Sequence, residues 1–190
     1  MIGIKITGAD IPQETLDKIA KASSTKGLMK ILGRRVRNEY REHFFRLDAA
    51  KPNKKGFPRQ HFWNRIGKAT TLAAADEVSA TVAVSDPAYT AKVYGALVKP
   101  DKAKALAIPI SSRAYGHSPN AQDNPLRGKL KLLPRKGKPS LLYTENKDKK
   151  EFHYVLLKSA RIPADPDALP DEAAINAAVA EEISDYYERK

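Results

Sequence analysis

Apolar side chains recur along this chain with two periods, and each change of period marks a change of element. Ile2, Ile4 and Ile6 alternate with polar residues and predict a short strand over Met1–Thr7. Asp10 and Pro12 predict a helix start, with Leu16, Ile19 and Ala20 on one face of a helix to about Ala22. Beyond Ser23, Ser24 and Thr25, the residues Leu28, Ile31, Leu32, Val36, Tyr40, His43 and Leu47 recur every three or four positions. That spacing predicts a long amphipathic helix from Lys26 to Leu47, with Lys30, Arg34, Arg37 and Arg41 as a basic stripe opposite the apolar one. Ala49 to His61 holds two Pro, one Gly, four Lys or Arg and one His and predicts an exposed loop. Phe62–Ala69 predicts a short helix or turn.

The period then shortens to two. Val78, Ala80, Val82 and Val84 alternate through Glu77–Ser85 and predict a half-buried strand, which Asp86 and Pro87 break. Tyr89–Lys99 runs through Gly95 to Pro100 with no element assigned. Leu106, Ile108 and Ile110 share one side of a strand over Lys104–Ile110, and Pro109 puts its end at a sheet edge or bulge. Ser111–Gly128 is polar and turn-rich, a loop of a length usually tied to function or mobility. Leu130 and Leu132 alternate with lysines. Ser140–Thr144 and Phe152–Lys158 predict a hairpin whose turn, Glu145–Glu151, is charged. Three prolines in Ile162–Pro170 predict an extended segment. A last helix starts near Asp171, with Ile175, Val179, Ile183 and Tyr186 on one face.

The pattern predicts an α+β fold: a mostly antiparallel sheet of about four to six short strands, a long amphipathic N-terminal helix and a C-terminal helix. Residues 1–163 are expected to form the core domain. Residues 164–190 are expected to be a Pro-rich arm and an acidic helix.

Length and composition narrow the class. The 190 residues suit one domain, or one domain with arms. No stretch approaches the roughly 20 apolar residues of a membrane helix, and no membrane partner is expected. The chain has no Cys, which excludes disulfides, thiolate catalysis and Cys-ligated metals. MIGIKITGAD lacks a basic-then-apolar leader, so the protein is expected to act where it is made.

Charge changes the picture more. There are 34 Lys and Arg against 22 Asp and Glu, a net of +12. Residues 1–163 carry 32 against 14, or +18, and residues 164–190 carry 2 against 8, or −6. A basic body points to a polyanion or an acidic protein surface. An acidic tail can meet a basic surface on its own body or on a second copy.

Catalytic chemistry finds little support. His43, His61, His117 and His153 show no metal-pair spacing, and there is no HExxH, phosphate loop or GxSxG elbow. His43 lies on the apolar stripe and His153 sits in a strand beside Phe152 and Tyr154, so both read as packed aromatics, and His117 lies in the long loop. No enzyme activity and no cofactor or metal are expected. Nucleic-acid binding has more support. Lys30, Arg34, Arg37 and Arg41, with Lys51, Lys54, Lys55 and Arg59 of the loop, are candidates to face DNA. Phe57 and Trp63 flank that loop and are placed to stack on bases.

Three segments carry a resemblance. PNKKGFPRQHFW (Pro52–Trp63) follows the basic helix, YGALVKPDKAKALAIPI (Tyr94–Ile110) follows a strand, and LLKSARIPADPDALP (Leu156–Pro170) leads to the last helix. Together they resemble the virion morphogenesis, or tail-completion, family of tailed bacteriophages and prophages, over about residues 25–175. The chain departs from that pattern at Phe57, where Trp is usual, and at Ala96, where a second Gly is common. The resemblance implies a structural protein of the virion neck or tail, assembled in the host cytoplasm as a homo-oligomeric ring. Its partners would be other copies of itself, the tail tube or terminator, the head–tail connector, and DNA in the lumen.

On that reading the contacts between subunits or rings fall to Phe57, Trp63, Tyr115, His117, Lys147, Lys149, Lys150, Ile175, Val179 and Ile183. The basic stripe and loop are the candidates to line the lumen. The Pro-rich arm would carry the last helix to a neighbour, so truncation after Pro170 is expected to impair assembly more than folding. The alternatives are a freestanding, sequence-independent nucleic-acid-binding protein using the basic helix and loop, and a hydrolase using His117 and Asp123.

Overall fold

A computed structural model describes residues 2–5, 25–51, 56–146 and 149–189. The helix expected over 10–22, and the candidates Lys54, Lys55 and Lys147, lie outside them. The chain divides into two units. Unit 1 comprises Met1–Lys51, His61–Tyr94 and Ala164–Lys190, and unit 2 comprises Pro52–Gln60 and Gly95–Pro163. The fold is α+β, as its periodicity predicts, with the helices of the described residues all in unit 1.

Unit 1 is organised by α1 (Thr25–Ala50). Its buried residues Leu28, Leu32, Val36, Tyr40 and Phe44 recur at intervals of four, the helical neighbour spacing. Sequence periodicity placed His43 on this stripe and passed over Phe44. The structure buries Phe44 completely and leaves His43 partly exposed. Phe44 meets Tyr89 edge-on and stacks on Trp63, with ring centroids 5.4 and 5.9 Å away. Each large apolar side chain taken out of water here contributes about 1.5–3 kcal/mol.

A three-stranded antiparallel sheet packs on α1, in the order β1 (Ile2–Lys5), β3 (Ala80–Val84), β2 (Thr70–Ala75). Gly33 makes that approach close. A Cβ there would sit 2.6 Å from Leu72 Cδ1 and 2.8 Å from Ala80 Cβ. The central strand is buried on both faces, through Val82, Ala83 and Val84, where alternation predicts a half-buried strand. Val78 falls outside it, 82% exposed. The short α2 (Phe62–Lys68) starts from His61, whose φ of 50° is left-handed. Asp48 holds that start, accepting from His61 Nδ1 at 2.7 Å and from the Asn64 amide at 3.2 Å. After Asp86, which accepts from the Ala88 amide, α3 (Pro87–Tyr94) forms.

Residues 164–190 belong to this unit and are not a separate arm. A 3-10 turn (Pro166–Ala168) interrupts the segment expected to be extended, with Pro166 at its start, where a missing N–H costs nothing. The last helix, α4 (Glu172–Glu188), is capped by Asp171 and packs on α1. Its Val179 and Ile183 join the same core cluster as Phe44 and Trp63.

Unit 2 is built from strands. A four-stranded antiparallel sheet runs in the order β5 (Leu106–Pro109), β8 (Lys149–Leu157), β7 (Leu141–Asn146), β6 (Lys131–Leu133). β4 (Ala96–Val98) and β9 (Ala160–Ile162) form a second, two-stranded sheet. Pro109 sits on an edge strand, as its missing N–H requires. The β7–β8 pairing extends to Asn146↔Lys149, well into the segment expected to be the turn.

Candidate functional site

In unit 1 the sequence-predicted residues separate into exposed and committed groups. Lys30 and Arg34 are exposed on α1, with Arg37 and Arg41 half-buried beside them. Arg37 donates to its neighbour Asn38, and the Arg41 guanidinium lies 5.9 Å from the centre of the Phe45 ring. Arg59, of unit 2, is also exposed.

Lys51 is engaged within the fold. Its Nζ lies 2.7 Å from an Asp165 carboxylate oxygen and 2.9 Å from one of Asp167, brought there by the Pro-rich segment. Burial favours the neutral amine, but the two aspartates outweigh it and raise the Lys51 pKa above its ordinary value. Burial likewise works to raise Asp165, and Lys51 outweighs it to lower that carboxyl below its usual range. Trp63, expected to stack on bases or meet a neighbour, is buried against Phe44. Ile175 is half-buried, and Val179 and Ile183 are buried within the chain's own core. All three positions therefore serve folding, because the α4 stripe matches the apolar row on α1.

The Pro-rich segment is fixed at four points. Asp165 N–H donates to the Lys92 carbonyl at 2.7 Å, and Tyr89 Oη donates to the Ala168 carbonyl at 3.1 Å. His43 Nε2 donates to the Asp167 carbonyl at 2.8 Å, and Lys51 supplies the ion pairs. Beside it lies a cleft of about 460 Å³ whose polar lining includes Glu39, His43, Arg46 and Asp171. Burial pushes the nearby Tyr40 hydroxyl up to about 12, with Glu172 adding to the shift.

In unit 2 the long loop folds over one face of the sheet around Tyr154. The Tyr154 hydroxyl accepts from Asn124 Nδ2 at 2.9 Å and donates to the His117 carbonyl at 3.1 Å. Asn124 also donates to the Ser118 carbonyl and accepts from the Leu126 amide. His117 faces Asp123 at 3.2 Å, and Tyr115 packs on Phe57 with centroids 5.2 Å apart. Lys149 and Lys150 are exposed.

His153 is fully buried, with Ser111 Oγ 2.8 Å from Nδ1 and Thr144 Oγ1 2.8 Å from Nε2. Desolvation lowers its pKa below the ordinary histidine value. A serine beside a histidine suggests a nucleophile and its base. Here the second ring nitrogen bonds the Thr144 hydroxyl, the Glu151 carboxylate stands 3.9 Å away, beyond hydrogen-bond distance, and Ser111 Oγ also accepts from the Ala114 amide in a turn. The geometry locks the loop to the sheet. Among the described residues no group of three His, Asp or Glu could hold a metal ion. No helix of the described residues is long and apolar enough to cross a membrane.

Two features escaped sequence reasoning. The first is where the charge resides. Over its ranges unit 2 carries 18 Lys and Arg against 5 Asp and Glu, a net of +13, and unit 1 carries 16 against 17, a net of −1. The acidic last helix folds onto the basic first one, so the linear division into body and tail disappears. Arg35, for example, reaches Glu181 at 3.1 Å.

The second feature is a row of side chains across the four-stranded sheet. Lys131, Tyr143 and Phe152 are register partners on β6, β7 and β8, and the two rings lie 6.1 Å apart. Lys150 Nζ stands 5.3 Å from the centre of the Tyr143 ring. Strict alternation would put Phe152 and Tyr154 on one face. The register shift leaves His153 unpaired between them and turns them apart. Tyr154 enters the loop-covered cluster with Ala114 and Leu126, and Phe152 stays 38% exposed.

No protein-family model matches this chain, and neither a curated protein nor a solved structure is significantly similar to it.

Proposed function

We propose that the chain is a non-enzymatic structural protein that assembles as a ring at a phage head–tail junction, capping or completing the tail. One observation carries this reading: unit 1 presents outward faces of opposite charge. Lys30 and Arg34 are exposed on α1, and Glu181 and Glu188 are exposed on α4, Glu181 while also reaching Arg35 of α1 at 3.1 Å. Unlike patches on one body favour head-to-tail contacts between copies, and such contacts close into rings when the rotation allows. The resemblance of Pro52–Trp63, Tyr94–Ile110 and Leu156–Pro170 to the virion morphogenesis family supplies the place and the partners. These are the tail tube or terminator and the connector, in a virion assembled in the host cytoplasm.

The test is direct. The purified chain is imaged by negative-stain electron microscopy, alone and mixed with tail tubes and with connectors. The expected result is rings, free or seated on a tube or connector end. A chain that stays monomeric and binds neither template contradicts the proposal.

A second reading, sequence-independent nucleic-acid binding by the α1 stripe, is favoured by the exposure of Lys30 and Arg34. It expects Arg34, Arg37 and Arg41 changed together to Glu to abolish DNA binding without unfolding the protein. The burial of Trp63 removes one of its two expected base-stacking rings.

A further inference from the structure

We propose that the Tyr143–Phe152 face of the four-stranded sheet in unit 2 binds a single strand of nucleic acid, its bases stacked on the two rings. The proposal does not depend on self-assembly.

Three observations support it together. The unit has a net charge of +13, so its field favours a polyanion over an acidic peptide of low charge density. The two rings are cross-strand partners on the face opposite the loop-covered cluster, and Phe152 is the more exposed. Ammonium groups stand at that platform. Lys131 shares the row of the two rings, and Lys150, two pairs further along, lies over Tyr143. Exposed Lys136 and Lys138 follow in the connection from β6 to β7.

The chemistry selects the strand type. Aromatic rings on a flat sheet offer a π-face to any unpaired base, while a duplex keeps its bases stacked on each other. The lysines neutralise phosphates without reading sequence. Lys131 is held by Glu145, its Nζ 2.6 Å from the carboxylate. A phosphate arriving there competes with the carboxylate of Glu145, which is also the register partner of Lys150, and exposed Lys150 above Tyr143 offers the second phosphate contact. Sequence tolerance and steep salt dependence follow.

Fluorescence anisotropy on the full chain tests this with a labelled 20-nucleotide oligothymidylate, a 20-base-pair duplex and heparin as probes. The expected result is salt-sensitive binding that favours the single strand over the duplex. Phe152→Ala and Tyr143→Ala should each weaken it between about fivefold and a hundredfold, the range that loss of one base–aromatic stack spans. Phe152→Leu keeps an apolar side chain and removes the π-face, so it should weaken binding while leaving the thermal melt unchanged. It decides the matter if the alanine variants do not fold. Lys150→Gln should lower the salt slope by about 0.7. Equal affinity for all three probes, unmoved by Phe152→Leu, would reduce the face to general charge attraction and overturn the proposal. So would the absence of oligothymidylate binding at low salt.

Discussion

Unit 1 buries Phe44, Trp63, Ile66, Tyr89, Val179 and Ile183 in one cluster shared by four helices and is close to electrically neutral. Unit 2 buries a far smaller apolar set, Ala114, Leu126 and Tyr154, and completes it with the polar side chains Asn124 and His153. It also carries all of the chain's excess charge. The difference teaches where each unit's shape comes from. Apolar burial is non-directional and tolerates substitution, so unit 1 draws its stability from volume filled. A buried polar network is directional and fails when one member is lost, so unit 2 depends on a few hydroxyl, amide and imidazole contacts. Those contacts hold a long loop against one face of a sheet whose connections carry most of the unit's positive charge.

The largest effect that can break this comparison lies in α4. Because Ile183 is fully buried in the unit 1 core, Ile183→Ala should cost about 2–5 kcal/mol, read from urea unfolding. Truncation after Pro170, which removes Val179 as well, should cost more. A truncated chain as stable as the full one would return the last helix to the role of an assembly arm. Next comes Tyr154→Phe, which removes one hydroxyl and with it one partner each of Asn124 Nδ2 and the His117 carbonyl. It should destabilise by about 1–3 kcal/mol, with hydrogen exchange rising first in residues 111–128. A neutral result would mean that apolar packing alone holds the loop. Smaller still, Lys51→Met should cost about 1–2 kcal/mol, because it leaves Asp165 partly buried without its cation.

The finest discrimination uses pH. Burial lowers the folded pKa of His153, so its contribution is present above the unfolded value of about 6.5 and is lost as pH falls from there toward the folded pKa. Lys51 lowers the folded pKa of Asp165, so that contribution is present above the unfolded value of about 3.9 and is lost only on further acidification. Hydrogen exchange at pH 5 against pH 7 should therefore show residues 111–128 and 153 losing protection while residues 164–168 keep theirs. Equal loss in both segments would contradict the assigned causes.

The sequence made the long elements plain and hid the contacts between distant ones. α1, the β7–β8 hairpin and α4 follow from periodicity because each presents one apolar face, and β3 follows from its alternating apolar residues although both of its faces are buried. β2 was missed because Thr-Thr-Leu-Ala-Ala-Ala has little β-branched or aromatic content, and pairing with β3 overrides that weak preference. α3 was missed although Asp86 and Pro87, read only as a strand break, are also a cap and a first helical residue. The number and grouping of strands depended on long-range pairing that no local period contains. At the site, the exposure of Lys30 and Arg34 was legible from helical spacing. The loss of Lys51 to two aspartates more than a hundred positions away was not. The Tyr143–Phe152 pair was hidden by the unpaired His153, which reverses the alternation on β8.

Analytical ultracentrifugation of matched charge reversals tests the central claim, head-to-tail assembly through unlike faces of unit 1. One variant reverses Lys30, Arg34 and Arg37 to Glu, a second reverses Glu181 and Glu188 to Lys, and a third carries both sets. Wild-type chain and the combined variant should sediment as closed oligomers, and each single-face variant should remain monomeric. Single-face variants that assemble as the wild type does, or a wild-type chain that is monomeric at every concentration and binds neither tail tube nor connector, would contradict the account.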